Sequence, residues 1–213
     1  MFLGVIALEK LKLDLVPIKK LYDQQEDYNN DAILSHDNFL KEMSSNLEPD
    51  EREEFYDIYS EELIYNVELF PQLIKVSAFL QMYFAFENGL NDYCNAYSNK
   101  LGANITVYDF GGSGITRAKN FLRKVAPNID EPFKTKEWQQ IRTFSTLRNK
   151  LVHEDGYFND ENVKDFEKKE AIPPGVEFTE TSSESKLKII LKEDFINHVY
   201  NTFLTFINNL QKQ

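Results

Sequence analysis

Three stretches of this chain place apolar side chains every third or fourth residue, and that spacing restricts the fold more than any other feature. Leu73, Val76, Leu80, Tyr83, Glu87, Leu90 and Cys94 form the first series. Trp138, Ile141, Phe144, Leu147 and Leu151 form the second, and Phe195, Val199, Phe203, Phe206 and Leu210 the third. On a helix of 3.6 residues per turn each series becomes one stripe, whereas a strand would scatter it over two faces. Helices of this length do not persist alone in water, so the stripes must cover one another. The spacing therefore predicts a mainly α-helical bundle, with helices from about Gln72 to Ser98, from near Thr135, and from Lys192-Glu-Asp194 to the end. Seventeen phenylalanines and eleven tyrosines predict an aromatic interior and exclude a disordered chain.

Prolines and glycines punctuate the rest. Pro17 interrupts the apolar stretch that begins at Leu3 and is expected to open a new helix, and the run beyond it, from Ile18 to about Ser44, reads as a helix or pair of helices. Pro49 lies near another helix start, with acids in its first turn and a stripe of Phe55, Ile58, Tyr59, Leu63 and Val67 leading to Phe70. Pro71 restarts the chain. The division this suggests is an acidic N-terminal helical region over 1–70, packed on a bundle over 71–213 and sharing its core. Asp109-Phe-Gly-Gly-Ser-Gly114 has neither glycine spacing of the nucleotide-binding loops, so it reads as a loop with Ser113 capping a helix from Gly114 to Val125. After Gly156, a short charged helix is expected from Asn159 to Glu170, broken by Pro173-Pro174-Gly175. Val176 to Thr179 and Leu187 to Leu191 then alternate as a small β-hairpin inserted before the last helix.

Composition excludes several function classes. The lone Cys94 cannot form an intrachain disulfide or a cysteine-cluster metal site. Three dispersed histidines, His36, His153 and His198, do not suggest zinc, and no cofactor motif is present. The apolar opening, Met1 to Leu8, ends at Glu9-Lys10, too short to span a bilayer and with no basic segment before it. A soluble cytoplasmic protein without membrane contact is the expectation.

Net charge is −11, which argues against broad affinity for nucleic acid. The charge is uneven, however. Arg117 to Lys150 carries nine Lys/Arg against three Asp/Glu, a balance of +6, while Asp23 to Glu68 carries fifteen acids against Lys41 and Arg52, a balance of −13. The basic segment is either a local groove or only the wet face of a helix.

That segment ends in Thr143-Phe-Ser-Thr-Leu-Arg-Asn-Lys-Leu-Val-His-Glu-Asp-Gly156. Arg148 and His153 emerge where the helix leaves its core, with Gly156 suited to the left-handed turn that ends it. Five helical steps set the two side chains roughly 140° apart around the axis. To converge, they require either a helix that stops before His153 or a second copy supplying the other half. Histidine titrates near neutrality and can move a proton, while arginine stays charged and offers a planar fork to phosphate. Asn149 can orient either. The plainer account is a solvated cation and a C-terminal cap. Glu87 falls on an apolar stripe, so it either pairs with Arg148 or His153 or turns to water. Tyr157 stacks on a base or packs with Phe158, and Trp138 belongs to the core.

Arg148-Asn149, three residues, then His153 resembles the R-N-x-x-x-H signature of the HEPN superfamily, with the likeness extending over the helical region from about Pro71. The resemblance implies a helical bundle that dimerises with the two motifs facing, and a metal-independent endoribonuclease of the toxin or phage-defence kind. It assigns acid/base work to His153, phosphate stabilisation to Arg148, and orienting roles to Asn149 and Glu87. RNA, a second copy of the chain and a protein antitoxin or partner subunit are the implied partners. The competing expectation is a catalytically silent module of the same fold that binds another protein, because activity belongs to a site rather than to an architecture.

Overall fold

In the computed structural model, which describes residues 2–59, 65–102, 104–126, 129–159, 172–180 and 186–213, helix α1 runs unbroken from Phe2 to Ser44 with Pro17 inside it. The expected helix start at Pro17 is therefore not found. Pro17 removes one hydrogen bond, the one to the carbonyl of Leu13, and both residues lie on the outer face. With both residues exposed, water has access to this turn and the loss costs little, and packing of the inner face keeps the two halves in line. Leu8, Leu11, Leu15 and Tyr22 carry that inner face.

Helix α2 spans Pro49–Tyr59, starting at its proline as expected. It buries no residue, and Ile58, Tyr59, Val67 and Phe70 are all exposed, so the stripe read through this region does not enter the core. Leu63 of that stripe lies outside the described residues. A π-helical turn over Tyr65–Leu69 runs directly into α3, Phe70–Leu101, so Pro71 sits in the first turn of a helix already under way. Tyr65–Leu101 is long and apolar enough to cross a membrane by length and composition.

In this fold α3 is the central helix. It lies antiparallel to α1, with Gly4 against Tyr93, Gly89 against Leu11 and Lys75 paired with Glu26 at 3.3 Å. Its opposite side packs on the last two helices. Because both sides are covered, the buried positions are broader than the single seam expected and shifted from it. Ala78, Phe79, Met82, Tyr83, Phe86, Leu90, Tyr93 and Cys94 are buried, while Leu73 is exposed.

Helix α4, Gly114–Val125, crosses the C-terminal half of α3 and buries Ile115, Ala118, Phe121 and Leu122. Ser113 occupies its N-cap, but through its carbonyl, which accepts from Thr116 and Arg117; the side chain makes no cap bond. Helix α5, Lys136–His153, begins at a side-chain cap, Thr135 accepting from the Trp138 amide at 3.4 Å. Its predicted stripe is buried through Trp138, Ile141, Phe144 and Leu147.

A three-stranded antiparallel sheet follows, in the order β1-β3-β2. Strands β2, Val176–Glu180, and β3, Lys186–Leu191, form the expected pair, with Phe178 opposite Ile189. Strand β1, Tyr157–Asn159, adds to the other edge of β3 and was not foreseen, because three residues are too few to show alternation. The helix read over Asn159–Glu170 lies outside the described residues beyond Asn159. Helix α6, Asp194–Gln211, closes the core with Phe195, Val199, Phe203, Phe206 and Leu210. Phe86 stacks on Phe203 at 4.2 Å, and Trp138, Phe133 and Phe206 form a second aromatic cluster. The chain is thus a mainly helical bundle with a small sheet beside it.

Candidate active site

The motif lies on the last two turns of α5, against the middle of α3. Leu147 is buried in the core and Leu151 partly so, which turns Arg148 toward α3. Its side chain is largely buried, with the guanidinium 5.3 Å from the Tyr83 ring centre and 5.2 Å from that of Phe84. Nη2 donates to Oε2 of Glu87 at 3.2 Å, and Nη1 donates to Oδ1 of Asn149 at 2.8 Å. Nε is buried without a partner among the described residues. Spacing puts Tyr83 and Glu87 on one face of α3, so ring and carboxylate hold the arginine from both ends.

Glu87 also borders the glycine loop. A Cβ placed on Gly114 would lie 3.3 Å from Oε1 of Glu87, so the carboxylate sits at the start of α4 where a helix favours negative charge. Gly114 has φ +50°, which suits glycine both for conformation and for this close approach. One carboxylate therefore links the motif to the 111–114 loop. Tyr83 contributes no base: burial, with Glu87 nearby and Arg148 and Ser145 opposing, pushes its phenol up to about 12.

His153 is placed differently. Helix α5 continues through it and ends on Glu154; two left-handed residues, Asp155 and Gly156, turn the chain, with the Gly156 amide returning to the Lys150 carbonyl. The route by which an early helix end re-aims His153 is therefore closed, and the regular helix keeps it roughly 140° around the axis from Arg148. Its side chain is exposed and makes no hydrogen bond among the described residues. Neighbouring Lys150 is held by Glu154 at 2.7 Å.

Three of the four expected site residues, Arg148, Asn149 and Glu87, thus form one contact network, and His153 stands outside it. Compared with known proteins, the chain matches no family model, no curated protein and no solved structure.

Tyr83 and Phe84 escaped the sequence reading as contacts of Arg148. The signal was present in Tyr83-x-x-x-Glu87, a ring and a carboxylate one turn apart. Trp138 is core as expected, and Phe158 packs on Phe178. Tyr157 is half-buried in β1 beneath Lys188. His198 is packed against Phe144 on α6, and burial lowers its pKa. Cys94 is buried, and burial pushes its thiol far up, which makes it unreactive. Among the described residues no three His, Cys, Asp or Glu side chains converge as metal ligands. The cavities along the α1–α3 seam, including one of about 400 Å³ lined by Glu26, Asn29 and Lys75, contain none of the motif residues.

Proposed function

We propose that this protein is a HEPN-type, metal-independent endoribonuclease that works as a homodimer, with Arg148 stabilising the phosphate and His153 of the facing copy moving the proton. The observation that carries this reading is the largely buried Arg148, clamped by Glu87, Asn149 and two aromatic rings, with an exposed histidine on another side of the same helix. A guanidinium fixed in one orientation stabilises a phosphate more than one that must be ordered at each turnover. Because the helix separates the two groups, the complete site has to be shared between copies. The cytoplasm, RNA as substrate and a toxin or defence role belong to the same proposal, as does a protein antitoxin that would silence it.

RNA cleavage in EDTA tests it. The unaltered chain should cut, and Arg148→Ala and His153→Ala should each lose on the order of 100-fold or more. Mixing the two inactive variants should restore activity, because a mixed dimer holds one intact shared site. Equal activity in all three chains, or none in any, ends the nuclease reading. Restoration failing alone would end the shared site.

A specific observation favours a second reading. Glu87 already neutralises Arg148, and His153 does not join them. That arrangement also suits a silent module whose arginine network is structural and whose surface binds another protein. In that case EDTA-resistant cleavage is absent, while Arg148→Ala lowers stability.

A further inference from the structure

The distal part of α1 and all of α2 form a helical hairpin that stands off the core. Near Ile33, α1 passes the start of α3, where Ile33, Val67 and Pro71 line one cavity. Beyond that level, among the described residues, it meets α2: Ser44 with Tyr56, Arg52 donating to the Ser44 and Leu47 carbonyls, and His36 with the Tyr59 carbonyl. Leu40 is the one apolar side chain it fully buries among the described residues. Two helices of this length with so small an interior do not hold together on their own. Yet the hairpin also exposes Leu34 at 61%, Phe39, Met43, Ile58 at 61% and Tyr59. Phe39 and Met43 share one side of α1, with Leu34 on another, so the exposed apolar surface lies around the hairpin and not in its small interior.

Its charge narrows the occupant. Glu53, Glu54 and Asp57 are exposed and form no ion pair among the described residues. The complementary surface lies on α4, where Arg117 and Lys124 are without salt bridges among the described residues. Tyr108 is 71% exposed under the Arg117 guanidinium. Arg123 is exposed and paired with Asp130 at 2.6 Å, and Lys119 is half-buried over the rings of Phe133 and Trp138. Burial lowers the pKa of Lys119, and Arg123 and Arg142 lower it further.

The chain's own hairpin is out of reach of this surface. Helix α4 meets α3 at Glu87 and Cys94, whereas the hairpin departs beside Pro71. At 1.5 Å per residue, the levels differ by roughly 24–35 Å along α3. We propose that the acidic hairpin of one copy docks on the basic outer face of α4 of a second copy, and that the exchange is reciprocal about a two-fold axis. Hairpin on hairpin would set acid against acid, and α4 on α4 cation against cation, so only the unlike pairing is attractive. The docking covers exposed apolar side chains on the side of the hairpin that meets the second copy and clasps the two bundles together. It requires no RNA chemistry, so cleavage assays test the function proposed above and assembly assays test this.

Sedimentation of the full chain at about 50 mM salt should show a dimer that loosens when salt is raised to about 500 mM. The triple change Glu53→Lys, Glu54→Lys, Asp57→Lys, and separately the pair Arg117→Glu, Lys124→Glu, should each weaken it ~10-fold or more in Kd. Combining all five in one chain should bring the Kd back to within ~3-fold of the original, because the charges are exchanged across one interface. A monomer under all conditions, a dimer indifferent to salt and to both charge sets, or no recovery in the five-fold variant overturns the proposal. A monomer that captures a basic protein also overturns it and assigns the hairpin to that partner.

Discussion

At the scale of single residues, the informative groups are those whose surroundings fix their protonation or orientation. Glu87 and Arg148 are each about four-fifths buried, so the pair is neither a surface ornament nor a fully desolvated bridge. Glu87→Ala should cost about 1–2 kcal/mol in urea unfolding, since it removes the one carboxylate paired with the guanidinium among the described residues. Glu87→Gln, which still accepts a hydrogen bond, should cost less. In a nuclease both should also lower kcat by releasing Arg148, whereas a purely structural pair would move stability alone. His198 provides a pH test. Burial holds its folded-state pKa below the ordinary 6.5. As pH falls through about 6.5 the unfolded chain takes up a proton that the folded chain refuses, so stability declines until the lower folded value is passed. Compared at pH 7.5 and 5.5, the unaltered protein should lose more stability than His198→Gln; equal losses would show that His198 contributes nothing to the slope.

At the scale of elements, the crossing of α1 and α3 depends on one missing side chain. A Cβ on Gly89 would lie 2.5 Å from Cδ1 of Leu11 and 2.9 Å from its Cβ. Alanine is the better helix former by about 0.5–1 kcal/mol, but forcing two packed helices apart costs about 1–3 kcal/mol. Gly89→Ala should therefore destabilise the protein, and Leu11→Ala in the same chain should recover part of the loss; a more stable Gly89→Ala would mean that the helices can slide. The α5 stripe was legible because one face of an amphipathic helix is written in consecutive residues. The α3 seam was read too narrowly, because a helix covered from two sides mixes two periodicities. Local chemistry marks Pro17 as a boundary that packing overrides, and the α2 stripe faces outward. Sequence spacing reports that a face is apolar, not what lies against it.

For the whole molecule, the protection of backbone amides should grade from α3 outward. In hydrogen exchange α3 and α6 should be slowest, and Leu34 to Tyr59 should exchange fastest in any condition that keeps the chain monomeric. Slow exchange of that segment in a monomer would show the hairpin to be stable alone. The sequence by itself determined the helices of the bundle, the aromatic core, the paired strands before the last helix, and the residues from which a site would be built, because each follows from local periodicity and side-chain chemistry. Only the tertiary structure decided that Glu87 meets Arg148, that Tyr83 and Phe84 flank it, that α5 carries His153 around to another side, and that an acidic hairpin projects with little apolar interior among the described residues. Those outcomes depend on how faces distant in sequence are paired, and one chain's local spacing does not contain that pairing.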